Sequence, residues 1–196
     1  MIKCSLALVF VLSFANLASA QSTGFVSCNP AINGTLACPC GNAPSGLGRG
    51  CNNSAATGGA ALNATGLPSL SADTVLFTAW FIGTSGPACS APTGNVLSVL
   101  YESTGVNVNG SIWGDGVMCC SGTYFLLSVQ VASSGTMVYP TAASPTVSAT
   151  AISAGDVGLL PGAARCYFVA YRDSCPSFCP SSPRQLTNSY QITWLP

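Results

Sequence analysis

Hydrophobic positions recur with a period of two in the closing stretch of the chain, residues 166–194. Tyr167, Val169 and Tyr171 alternate with Cys166, Phe168, Ala170 and Arg172. Asn188, Tyr190, Ile192 and Trp194 alternate with Ser189, Gln191 and Thr193. This period predicts pleated strands with two distinct faces. Between them lie Cys175, Cys179, Pro176, Pro180 and Pro183, a run that neither a helix nor a central strand tolerates. Strands are expected over residues 60–65, 74–82, 95–102, 110–118, 123–131, 136–139, 146–152, 166–172 and 187–194. The run at 74–82, TVLFTAWFI, is almost continuously apolar, which predicts a central strand buried on both faces with Trp80 in the core. Trp194 is expected in the core too. Gly114-Asp115-Gly116 marks a turn. No segment carries a convincing helical period, although residues 90–100 fit either reading. Short strands separated by Gly, Pro and Ser turns predict an all-β fold: an antiparallel β-sandwich, jelly-roll-like.

Residues 21–58 read differently. The run CNPAINGTLACPCGNAPSGLGRGCNNS is punctuated by Gly and Pro and offers little to bury. It is expected to form a Cys/Gly-rich stapled cap on the sandwich of residues 59–196, the two making one domain. Residues 1–20 have the form of a signal peptide. Lys3 precedes an apolar run over 6–14, and Ala18-Ser19-Ala20 supplies a small-residue cleavage site. The apolar run is short for a membrane span, and no second one follows it.

Composition sharpens the picture. Charged residues make up 5% of the chain against 48% hydrophobic. Disorder needs the opposite balance, so solubility is left to Ser, Thr, Asn and Gly on the outer faces. Beyond residue 20, four arginines stand against five acids, a net charge of −1. No basic patch tracks a phosphate backbone, so nucleic acid is not an expected partner. No basic amphipathic helix addresses a membrane surface.

Of eleven cysteines, Cys4 falls in the leader. The remaining ten are Cys28, Cys38, Cys40, Cys51, Cys89, Cys119, Cys120, Cys166, Cys175 and Cys179. An even number in an exported chain predicts disulfides. Zinc at Cys38, Cys40 and Cys51 is the rival reading, but the spacing is CxC and no histidine is present. Neighbours Cys119 and Cys120 point to opposite faces of a strand and are expected to take different partners. Spacing does not fix connectivity. The pairing expected is Cys119 with Cys179, with Cys28, Cys38, Cys40 and Cys51 bonded among themselves.

Several short motifs occur in order: CPCGN at 38–42, GCNNS at 50–54, WGDGVMC at 113–119, SGT at 121–123, VYP at 138–140, YRD at 171–173, FC at 178–179 and QLTNSYQITW at 185–194. Together they resemble a family of uncharacterised secreted Cys/Gly-rich bacterial proteins with CPCGN…GC, GDGxxC and YR…FC…LTN…W motifs. The resemblance spans nearly all of the chain after the leader. It implies export and a β-rich fold, and carries no catalytic residues to transfer. By it, Cys28, Cys38, Cys40, Cys51, Cys119 and Cys179 match recurrent cysteines, while Cys89, Cys120, Cys166 and Cys175 are additions.

The chain has no histidine, and no lysine beyond Lys3. Histidine-based triads, His-ligated zinc and Schiff-base chemistry are thereby excluded. What remains is carboxylate chemistry on Asp73, Glu102, Asp115, Asp156 and Asp173, the minimum a glycoside hydrolase needs. All five are expected near turns or strand ends, Asp115 as an Asx-turn residue and Asp173 in a local contact with Arg172. Calcium would need several oxygen donors around Asp115, and no D-x-D-x-D run supplies them, so Ca2+ is only a weak cofactor reading. Trp113 beside the Gly-Asp-Gly turn is the candidate platform for a sugar ring, with Asp115 as its polar companion. N-x-[ST] sequons stand at Asn33, Asn52, Asn63 and Asn109. The function expected is a non-catalytic secreted extracellular domain of structural, surface or adhesion type, partnered by an extracellular glycan or surface protein. The alternative is a carbohydrate- or calcium-dependent binding module centred on Trp113 and Asp115.

Overall fold

The computed structural model describes residues 23–83, 95–173, 175, 178–179 and 183–196. The leader, Cys89 and residues 90–94 of the ambiguous run lie outside the described residues. In chain order the elements are β1 (Phe25–Val26), β2 (Ala61–Thr65), β3 (Leu76–Trp80), β4 (Asn95–Trp113), β5 (Gly116–Ser133), β6 (Met137–Tyr139), α1 (Val147–Ser153), β7 (Ala164–Arg172), β8 (Arg184–Leu186) and β9 (Tyr190–Thr193). The larger antiparallel sheet runs β1-β9-β7-β4-β5, with β8 also on β7, and the smaller runs β2-β3-β6. The sheets meet through one core that includes Leu62, Phe77, Leu100, Tyr139, Tyr167 and Trp194. This is the expected all-β, disulfide-rich sandwich.

The strand buried on both faces is β7, and not β3. Tyr167, Val169 and Tyr171 point into the main core, while Cys166, Phe168 and Ala170 enter a second cluster on the outer face with Cys120 and Leu186. β3 is central in the smaller sheet, but only Phe77 and Ala79 are buried. Leu76 is exposed and Trp80 half-buried, on the face of β3 opposite Phe77 and Ala79. Trp194 is fully buried as expected.

In place of the expected strand at 146–152 stands the helix α1, Val147–Ser153. The apparent alternation of these residues also satisfies i, i+4 burial of Val147 and Ala151. Two local devices decide between the readings. Thr146 caps the helix by accepting from the Ala149 N–H, and Asp73 accepts from the Ser148 N–H at 2.7 Å. The expected strands at 95–102, 110–118 and 123–131 merge into one long hairpin, β4–β5, whose register shifts absorb the glycines that read as breaks. β1 and β8 are short strands absent from the sequence reading.

The disulfides are Cys28–Cys119, Cys38–Cys51, Cys40–Cys179 and Cys120–Cys166. Cys175 is also disulfide-bonded. Cys119 and Cys120 take different partners, as expected. The Cys119–Cys179 pairing is wrong, and only Cys38 and Cys51 of the N-terminal four bond each other. The reason is where the irregular lobe between β1 and β2 sits. It lies against the β4–β5 tip and β8, with Asn42 Nδ2 donating to the Asp115 carbonyl at 3.1 Å and Gln185 Nε2 to Asn52 O at 3.0 Å. Cys28 and Cys40 are thereby brought to sulfurs far along the chain.

Candidate functional site

On the outer face of the larger sheet, β4 presents Leu97, Val99 and Tyr101, while Ser98, Leu100 and Glu102 face inward. These outward residues line a groove of about 410 Å³, with Trp113 at one end and Arg172, Pro183 and Arg184 at its rim. Tyr101 stacks on Phe168 at 5.3 Å, and Trp113 meets Phe168 edge-on at 6.0 Å. The tryptophan is thus fixed by packing yet half-buried. The Arg184 guanidinium lies 5.8 Å from the Trp113 ring centre. Neither Arg172 nor Arg184 is ion-paired; among the described residues the ion pair is Arg165–Asp156. The groove opens onto the cross-strand pairs Leu97–Val131 and Val99–Val129, where Leu97, Val129 and Val131 are exposed.

The structure separates the two expected site residues. A two-residue loop, Gly114-Asp115, joins Trp113 to Gly116, and Gly114 takes φ +62° at the first loop position. Trp113 therefore faces the groove, while Asp115 is 1% exposed and turned inward. Asp115 is not an Asx-turn residue: its Oδ1 has no hydrogen-bond partner among the described residues. Burial, with the Asp173 carboxylate adding to it, pushes Asp115 up to about 7. Among the described residues, one group of potential metal ligands occurs: Cys40, Asp115 and Cys179. Its two sulfurs are bonded to each other, and one carboxylate does not make a calcium site.

The other acids lie elsewhere. Asp73 caps α1. Asp173 accepts from Ser54, at its N–H (2.8 Å) and its hydroxyl, and not from Arg172. Asp156 holds Arg165 through two hydrogen bonds of 2.6 and 3.0 Å. Glu102 is mid-strand and fully buried, not near a turn. It accepts from Tyr167 Oη at 2.5 Å, and that oxygen in turn accepts from Trp194 Nε1 at 2.9 Å. Burial is the main cause that pushes Glu102 up to about 8. None of the five acids lines the groove, so the facing carboxylate pair of a glycoside hydrolase is not assembled there.

Sequence reasoning missed Tyr101 and the rim arginines. Tyr101 had a readable signal, since it continues the apolar alternation of Leu97 and Val99. Arg172 and Arg184 had none until the register placed them opposite each other across β7 and β8. No family model, curated protein or solved structure matches this chain. The likeness stated above rests on its motifs alone.

Proposed function

We propose that this is a secreted, non-catalytic recognition domain of adhesion type that binds an acidic saccharide in the Trp113 groove. Residues 1–20 serve as the leader and the secreted chain begins at Gln21. The disulfides favour an oxidising compartment, and no described helix is long and apolar enough to cross a membrane. The observation that carries the reading is the groove itself. A fixed, half-exposed indole and an apolar floor suit the apolar face of a pyranose ring. Two exposed guanidiniums at the rim suit a carboxylate or sulfate on that ring, which arginine grips bidentately. Of the sequons, Asn33 and Asn109 are exposed, whereas Asn52 uses its Oδ1 to accept from Gly58 N at 2.8 Å.

A glycan array carrying neutral, carboxylated and sulfated saccharides, run with and without calcium, tests this. Binding should favour the acidic glycans, be indifferent to calcium and vanish in Trp113→Ala. A blank array at high protein concentration sinks the proposal, and loss of binding on chelation restores the calcium reading.

A further inference from the structure

Four of the five acids have structural partners: Asp73 a helix end, Asp156 an arginine, Asp173 a serine, Glu102 a tyrosine. Among the described residues Asp115 shows none, and its buried Oδ1 is left without a hydrogen bond. The loop it occupies needs glycine at its first position, not an acid at its second. Leaving a buried carboxyl oxygen without a hydrogen bond is costly, and the turn does not explain it. What the carboxyl does face is a disulfide: a carboxylate oxygen and the Sγ atoms of Cys40 and Cys179 lie within 4.8 Å of one another. That bridge differs from its neighbours. Cys40 is exposed, whereas Cys179 is 1% exposed. Both cysteines of each of the other three described bridges are buried.

We propose that Cys40–Cys179 is a thiol–disulfide exchange site with Asp115 as its internal acid, taking a small thiol or a dithiol protein as reactant. The reacting thiolate attacks Cys40 Sγ, the sulfur it can reach. A sulfur–sulfur bond forms between the reactant and Cys40, and the Cys40–Cys179 bond breaks. The electron pair leaves on Cys179, whose thiolate would be costly in a buried site. Protonated Asp115 passes its proton to that sulfur and becomes the carboxylate. A second thiolate then attacks the mixed disulfide and frees Cys40, so two reactant thiols are oxidised to one disulfide and the bridge is reduced. In the reverse direction, the Asp115 carboxylate takes the proton from Cys179 as it attacks the mixed disulfide. The titratable groups that face Asp115 are the Asp173 carboxyl and the buried Tyr171 hydroxyl. Burial and Asp173 hold Asp115 near 7, so both of its forms are present at neutral pH. The exchange chemistry does not require that the groove bind a saccharide.

The test uses the oxidised, secreted chain and reduced glutathione at pH 6 to 8. Samples are quenched by alkylation and mapped by peptide mass spectrometry. Cys40–Cys179 should open first, by about tenfold or more over the other bridges, and the trapped glutathione should sit on Cys40. The rate per attacking thiolate should fall about tenfold from pH 6 to pH 8, the change in the protonated fraction of a group titrating near 7. In Asp115→Asn the same profile should be flat. The proposal is overturned by opening no faster than at Cys38–Cys51, by the adduct on Cys179, or by matching profiles in the two proteins. The first two readouts need only the unaltered chain, so a variant that fails to fold does not spare the proposal.

Discussion

Glu102→Gln is the most informative single change for stability. Glu102 is fully buried, and desolvation pushes its carboxyl from an ordinary 4.5 up to about 8. The sign of the pH effect follows from linkage. Between those two values the folded chain keeps a proton that the unfolded chain has released, so stability falls as pH rises. It is fully present below about pH 4.5 and lost progressively towards pH 8. The slope is about 1.4 kcal/mol per pH unit, which over that window amounts to about 5 kcal/mol. Glutamine keeps the acceptor for Tyr167 Oη and places an uncharged amide where Oε1 has no partner among the described residues.

The assay is thermal unfolding with the disulfides intact, at constant ionic strength, from pH 4.5 to pH 8. At about 2–4 °C per kcal/mol for a domain of this size, the unaltered protein should lose about 10–20 °C of Tm across the window. Glu102→Gln should recover most of that loss at pH 8 and change little at pH 4.5. A residual slope of the same sign belongs to Asp115, which is also raised. On the acid side, burial pushes Asp156 up, but Arg165 outweighs it and holds the group below its ordinary value. Stability should therefore fall again as pH drops below the usual aspartate range. A Tm that is flat from pH 4.5 to pH 8, or equal slopes in the two proteins, refutes the argument.

Three further outcomes are expected. Arg184→Gln should weaken binding of acidic glycans and flatten its salt dependence while leaving neutral glycans unaffected, as read by titration at two ionic strengths. Gly114→Ala should cost at least about 1–3 kcal/mol more than Gly155→Ala in denaturant unfolding. Both positions have positive φ, but a Cβ at Gly114 would lie 2.4 Å from the Arg184 carbonyl oxygen, whereas none is met at Gly155. Replacing Cys28 and Cys119 together by alanine should cost about 4–5 kcal/mol, against about 3 for Cys38 and Cys51, because the first bridge closes the longer loop.

Much of the larger sheet was legible in the sequence, because β9 alternates Tyr190 and Ile192 with Gln191 and Thr193, and β7 is dense in aromatic and β-branched residues. Tyr167 and Val169 differ in kind from the serines and threonines that face water elsewhere. The same rule failed at α1, where a run of alternating Val, Ser, Ala and Thr mimics a strand and only the Thr146 cap and distant Asp73 decide. It failed again along β4–β5, where the expected strands at 95–102 and 110–118 are one strand that shifts register at Gly105 and again before Ser111. The disulfide pairing was not legible at all. It depends on where a lobe without regular structure lands, and that is set by amide contacts such as Asn42 to Asp115. Trp113 was legible as a candidate because it adjoins a turn. Its separation from Asp115 was not, since neighbours in sequence at a hairpin tip are sent to opposite sides of the sheet.

That separation joins the two sites mechanically. The tip is held by the Asp115 N–H donating to the Arg184 carbonyl at 2.8 Å, with Gly114 packed closely on the same residue. Arg184 is at once the anchor of the tip, the first residue of β8 and part of the groove's rim. Asp173 N donates to Pro183 O at 2.8 Å, which fastens Pro183 to the end of β7. The Cys40–Cys179 bridge ties Cys179 to the lobe between β1 and β2. The rim arginines sit opposite each other on β7 and β8, and the floor of Tyr101, Phe168 and Trp113 belongs to the same sheet. In the proposed function the ring meets the floor of the sheet, and its charge meets the arginines at the paired edge of β7 and β8.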